Sequence, residues 1–425
     1  MRVFRINILI LLLTLGVAVS GQEDSLSVYL ATAAKNNPEV RAAFAGYQAS
    51  LRRVNAAGAL PDPQLEIGFF MQPMDIIDGR QIADIALMQM FPWFGVNKAA
   101  RTEAMHMSRM AFQQFREARN RIFLQVYTSW YRLFQLKRQL SFLQESRDYL
   151  HQLENLALAG LRSDEGMSSP GMTDVLRIRI ELAEAENSIE NTVSALKAET
   201  ARFNALLNRP ADTRLFIPDS IKTMEIETEL PLLLEKAKAN SPMLGMISAE
   251  EDGIRAKALM DKRMGYPMLG VGIQYSVIGK RTGGHVPVGH MNGDDMIMPM
   301  LSVTLPIYRN KYKAQQEANA HLLEARKEQY QATINNLESE LYMAGHDLQE
   351  AARMIRLLDK QEQLALSAYR LMLTDYSSGA TQLGQLLEMQ RELLNFRLQK
   401  AQATAEYNIN AALIKNLISD FEINE

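Results

Sequence analysis

QMFPWFGVNK, residues Gln89–Lys98, joins two segments with different periods. To its left, Ile85, Leu87 and Phe91 fall on alternate positions of 82–91, the period of a strand. To its right, no proline occurs from Phe94 to about Gly160. There Ile122, Val126, Ser129, Leu133, Leu136, Leu140 and Leu143 keep the 4-3-4-3 spacing of a coiled-coil heptad. Pro92 removes a ladder donor and so ends the strand, and its fixed φ suits the first turn of a helix. The junction occurs twice. TLPIYRNKYK, Thr304–Lys313, sets Pro306 in place of Pro92 and Asn310-Lys311 in place of Asn97-Lys98.

Working outward from the two junctions, the whole chain aligns with itself. Pro38 in AAKNNPEV and Pro242 in KAKANSPML are separated by 204 residues (242 − 38). Without a gap, Pro63, Leu65, Ile67 and Gly68 then fall on Pro267, Leu269, Val271 and Gly272. At the junctions the offset is 214 (306 − 92), so the second copy holds ten extra residues (214 − 204) between its strands. GMTDVLRIR, 171–179, meets QLGQLLEMQ, 382–390, at an offset of 211 (386 − 175). Collinear anchors in one order define a tandem duplication. The expected division is a signal peptide at 1–20, a first repeat at 21–208, a linker at 209–230 and a second repeat at 231–420. The first repeat has a helix, a β-hairpin at 64–91, a long helix at 94–160, a tip at 161–171 and a return helix at 172–208. In the second repeat the hairpin is 268–306, the long helix 308–376, the tip 377–382 and the return helix 383–420.

The strand-like segments carry one apolar face each. Leu65, Ile67, Phe69 and Met71 share a face of 64–72, and Leu269, Val271, Ile273, Tyr275 and Val277 do so in the second repeat. Ile297, Leu301, Val303 and Leu305 alternate with Met296, Met298 and Met300. In 82–91 the faces stay open, because Asp84, Ala86, Met88 and Met90 stand opposite Ile85 and Leu87. Segments of about ten residues have the dimensions of transmembrane β-strands. A soluble sheet packed on helices has the same period. Four strands cannot close around a lumen and lipid does not tolerate open edges, so a membrane sheet here must be completed by other subunits. Helices of about 65 residues make rods of roughly 100 Å, too long for a compact globule.

Composition excludes several functions. There is no cysteine, hence no disulfide, no thiolate metal site and no cysteine nucleophile. Lys+Arg of 46 against Asp+Glu of 49 gives −3, spread over helical segments, which argues against nucleic acid as a partner. No G-x-S-x-G, H-E-x-x-H or G-x-x-x-x-G-K-[ST] occurs, so neither an enzyme nor a cofactor is expected. Residues 1–20 carry Arg2 and Arg5, an apolar run from Ile6 to Leu15 and the small-residue site Ala18-Val19-Ser20, the pattern of a signal peptide.

Signal peptide, duplication, paired hairpins and heptads, together with NNPEVRAA, LPDPQLEIG, QMFPWFGVNKAA, GMTDVL and GQLLEMQ, resemble the TolC family of outer-membrane efflux proteins. The resemblance covers essentially the whole chain after residue 20. It implies a membrane α+β fold, with four transmembrane β-strands per chain completing a 12-stranded trimeric barrel. A long α-helical coiled-coil barrel would continue it. The implied setting is the outer membrane of a Gram-negative bacterium, reaching into the periplasm. The implied partners are two further copies, outer-membrane lipid, a periplasmic adaptor (membrane fusion protein) and an inner-membrane pump of the resistance-nodulation-division type. PDPQLEIGFFMQP and QMFPWFG resemble the heavy-metal branch, which serves copper/silver and cobalt–zinc–cadmium pumps. Multidrug efflux or type I secretion through the same fold is an alternative. A periplasmic coiled-coil adaptor or scaffold is a reading of another class, although adaptors have one helical hairpin and this chain has two.

The resemblance also assigns sites. The family carries acidic residues just past each helical tip, where this chain has Asp174 and Glu388 but departs at Arg177 and Gln385. These four are the periplasmic gate candidates. In the tips, RSDEGMSSPG and DYSSGAT, Ser168, Ser169, Ser378 and Gly379 are candidates for adaptor contact. Trp93, Phe94 and Tyr308 stand where chains leave lipid for water, as interfacial aromatics do. No resident metal is expected. The nearest approach to a ligand set is Met296, Met298 and Met300, with His285 and His290 in a Gly-rich loop that reads first as a solvated connection.

Overall fold

The computed structural model describes residues 26–162, 171–227, 229–281, 283, 292–377 and 380–421. The proposed signal peptide, Ser168, Ser169, Ser378, Gly379, His285 and His290 lie outside them. The first repeat contains α1 (Leu26–Asn36), α2 (Pro38–Ala57), β1 (Gln64–Ile76), β2 (Gly79–Phe91), α3 (Val96–Arg162) and α4 (Met172–Leu206). The second contains α5 (Leu230–Asn240), α6 (Pro242–Met264), β3 (Met268–Gly279), β4 (Met296–Thr304), α7 (Arg309–Ser377) and α8 (Leu383–Leu417).

Each repeat opens on a helix interrupted at its proline, a break the sequence reading did not place. Asn37 caps the start of α2, its Oδ1 accepting from the N–H groups of Glu39 (2.9 Å) and Val40 (3.3 Å). Ser241 does the same for α6, with Oγ accepting from Leu244 N–H at 3.3 Å. A polar cap followed by proline at the first helical position favours a fresh helix start. The aligned prolines are therefore two copies of one capped joint.

The chain forms two compact units. One comprises the described residues within 26–41, 119–237 and 339–421. Its core is helical: Leu150, Leu153 and Ala157 of α3 pack with Val175, Ile178 and Leu182 of α4, Ala365 and Tyr369 of α7, and Leu383, Leu386 and Leu393 of α8. The heptad residues Ile122, Val126, Ser129, Leu133 and Leu143 are buried, as are Leu341, Ala344, Leu348, Ala351 and Leu358 of α7. Tyr29, Trp130 and Phe203 form an aromatic cluster in the same unit, with ring centroids 5.1 to 5.8 Å apart.

Lys400 interrupts that apolar seam at a heptad position of α8. Its Nζ donates to Asp359 (2.6 Å) and Glu362 (2.9 Å), and Arg397 donates to Glu362 and Glu145, each at 3.1 Å. Burial alone would lower the Lys400 pKa, but the bonds to Asp359 and Glu362 prevail and hold it above its ordinary 10.5. A folded pKa raised in this way gives stability that is fully present below 10.5 and lost as pH rises through the folded value. Lys400→Met is expected to cost about 1 kcal/mol near neutral pH, with the gap to the unmodified protein closing in strong alkali. Melting curves at neutral and alkaline pH check this; an equal gap at both refutes it.

The other unit comprises Ala42–Ala118 and Lys238–Glu338 and holds the sheet. Its strands are antiparallel in the order β1-β2-β3-β4, so the β2–β3 pairing joins the two repeats. Among the described residues, β1 and β4 are the edge strands. β1 runs past Gln72, where alternation faded, because the register shifts between Phe69 and Met74; a bulge breaks the period of two without ending the strand. Ile76 pairs with Gly79 around a two-residue turn. Gly79 has φ +144°, and a Cβ there would lie 2.6 Å from the Gly279 carbonyl oxygen, so glycine is required.

Candidate channel wall and gate

Cross-strand register resolves the faces that the sequence left open. Leu65 pairs with Leu87, Leu87 with Ile273, and Ile273 with Pro299. The neighbouring row runs Ile67, Ile85, Tyr275, Ile297. Directly paired residues share a face, so one side of the sheet is apolar across all four strands. It is also uncovered: Leu301 is 85 % exposed and Phe69 76 %. An apolar surface this continuous marks contact with lipid or another chain. The opposite side carries Gln64, Met88, Gly272 and Met300 in one row and Gly68, Asp84, Ser276 and Met296 in another. Asp84 accepts there from Ser276 Oγ at 2.5 Å and from Gln81 Nε2 at 2.9 Å. Met296, Met298 and Met300 thus belong to the polar side.

At the junction after β2, Trp93 stacks on Tyr266 with centroids 5.4 Å apart and meets Phe94 edge-on at 5.7 Å. Gly95, at φ +82°, turns the chain into α3, and Arg263 Nη1 donates to its carbonyl at 2.8 Å. Phe94 and Tyr308 are largely exposed, 80 % and 78 %. The second junction lacks the left-handed glycine and turns through Ile307 and Arg309 N–H bonds to Leu305 and Ile307 carbonyls.

Next to the tips, α4 and α8 line a groove of about 360 Å³ with Arg177, Ile180, Glu181, Gly384, Leu387, Glu388 and Arg391. Arg177 and Glu388 are thus brought to one place, and Arg177 Nη1 lies 3.8 Å from where a Cβ on Gly384 would be. Arg391 grips Glu181 with two bonds, one of them Nε to Oε2 at 2.9 Å. Among the described residues, Arg177 and Glu388 themselves form no ion pair. Asp174 sits at the start of α4, its carboxylate accepting from Gly171 N–H at 3.3 Å. It lies near the Tyr376 hydroxyl, whose pKa is pushed up by burial first and by the Asp174 charge second. Gln385 is exposed on α8 and is not part of the groove wall. Sequence reasoning missed Glu181 and Arg391. The signal was available: four residues after Arg177 and three after Glu388, they share those residues' helix faces.

No helix among the described residues is long and apolar enough to cross a membrane. Residues 233–419 match the family described as Outer membrane efflux protein. The whole chain has the fold of such channels. It superposes on CusC with a TM-score of 0.76 at 14% identity, covering 93% of this chain and 92% of that one. For VceC of Vibrio cholerae the values are 0.74 and 15%, over 92% of this chain and 95% of that one. For the open state of the Neisseria gonorrhoeae MtrE channel they are 0.73 and 13%, over 92% and 88%. No curated protein matches the sequence. The efflux-family match and the channel fold place this chain in the outer membrane, extending into the periplasm.

Proposed function

We propose that this chain is the outer-membrane exit duct of a tripartite efflux system. As a homotrimer it receives substrate from a pump of the resistance-nodulation-division type and a periplasmic adaptor, and passes it outside. The observation that carries this reading is the uncovered apolar face on an edge-open sheet, joined at Pro92 and Pro306 to coiled-coil helices. Lipid and further copies account for such a face and such edges; a soluble coiled-coil scaffold does not. Detergent-extracted outer-membrane material should have the mass of three chains and conduct ions in planar bilayers. Free soluble monomer in the periplasmic fraction would sink the reading.

Heavy-metal ions are the cargo favoured by the sequence pattern around the first strands. Susceptibility of a deletion strain to copper, silver, zinc and cadmium, set against organic drugs, tests this directly. The groove beside the tips is the proposed gate, with Arg177 and Glu388 on its wall and Asp174 bracing the start of one of the two return helices. Arg177→Ala and Glu388→Ala are each expected to raise resting conductance, because each shifts the charge balance of a groove that also holds Glu181 and Arg391. Conductance unchanged in both variants would falsify the gate. The proposed adaptor contacts remain Ser168, Ser169, Ser378 and Gly379, testable by cysteine crosslinking to the adaptor.

A further inference from the structure

Met88, Met90, Met296, Met298 and Met300 all lie on the side of the sheet that carries Glu66, Asp84, Gln274 and Ser276. Methionine used as an adaptable apolar filler belongs with other apolar side chains. On this sheet the apolar side chains are on the other face, so five thioethers among carboxylates, amides and hydroxyls need a different account. Two of them converge. A Cβ on Gly270 would lie 2.6 Å from Met90 Sδ and 3.2 Å from Met88 Sδ. The two sulfurs are therefore within the sum of those distances, 5.8 Å, of one another. A Cβ on Gly272 would lie 3.0 Å from Met88 Sδ, and Ser302 Cβ borders the same spot over Gly270 at 3.1 Å. Paired glycines on β3 thus leave a floor over which two thioethers from β2 lie within that distance of one another.

We propose that Met88 and Met90 form a binding site for a soft monovalent cation, of the Ag(I) or Cu(I) class. Neutral thioethers bind such ions and discriminate against hard divalent ones. The proposal deepens the cargo reading and rests on the duct reading for the claim that this face lines the passage.

Silver nitrate in chloride-free buffer is the probe, titrated calorimetrically into the purified full-length protein. The tightest site should be weakened at least tenfold in Met88→Leu/Met90→Leu, in which near-isosteric side chains keep the packing. Gly270→Ala should weaken it comparably, since its methyl occupies the space where the sulfurs meet. Met296→Leu/Met298→Leu/Met300→Leu should leave it within about twofold. Unchanged melting of each variant confirms that the fold is kept. Absence of silver binding to the unmodified protein, equal binding by the Met88/Met90 double variant, or an equal loss in the triple variant each overturns the site. Strain susceptibility separates the two claims. Silver sensitivity with no loss in the double variant sinks the site and leaves the cargo. Site binding in a strain sensitive only to organic drugs does the reverse.

Discussion

Val271→Arg is expected to remove this protein from the outer membrane, whereas Gln274→Arg, three residues along the same strand, is expected to leave it there. Val271 lies inside β3 on the uncovered apolar face, paired with Gln89 on one side and Leu301 on the other. It is 53 % exposed in the chain, so the loss comes from meeting lipid and owes little to packing within the chain. An arginine on the lipid face of a β-barrel costs about 2–4 kcal/mol at the midplane and less toward the interface. Gln274 shares its row with Glu66, Ala86 and Met298 on the polar side, where a cation stays in water. The measurement is the amount of assembled protein in the outer-membrane fraction. Equal loss in both variants, or in neither, would show that the two faces are wrongly assigned.

Phe203→Ala is expected to destabilise the helical unit by about 3–5 kcal/mol, the range for emptying a buried aromatic site. Phe203 is fully buried, edge-on to Tyr29 at 5.1 Å and tilted against Trp130 at 5.8 Å. Tyr29 in turn accepts the Phe216 N–H at 3.2 Å. Deleting the phenyl ring leaves a cavity and loosens the ring that holds the start of the linker. Thermal unfolding checks the magnitude. Phe94→Ala, at a ring 80 % exposed, serves as the control and should change melting little.

Much of this was legible in the sequence because the physics behind it is periodic. Leu133 and Leu143 are buried where their heptad spacing put them, while Leu136 and Leu140 are only half-buried; Pro92 and Pro306 marked the passage from strand to helix, a signal that occurs twice per chain. The faces of β2 were not legible. Methionines there are apolar by composition yet lie on the polar side, and only register with Gly272 and Gln274 decides that. The bulge after Phe69 hid the last four residues of β1 for a similar reason, since it interrupts the alternation that identifies a strand. Arg177 and Glu388 were found as motif positions. Glu181 and Arg391 lie one turn further along the same helix faces, a local signal, but the bond between them joins positions 210 residues apart in sequence, which no local pattern encodes.

The order β1-β2-β3-β4 has one more consequence. Because the repeats are already paired to each other through β2 and β3, a seam between copies must join β4 of one chain to β1 of the next, a head-to-tail contact. A lesion confined to one edge strand would therefore leave its own chain folded and spoil every ring that the chain enters. In the proposed ring of three, equal amounts of sound and damaged chain would leave about one ring in eight intact. Edge-strand mutations should accordingly be inherited as dominant, while core mutations such as Phe203→Ala, which remove the chain before it can join a ring, should be recessive.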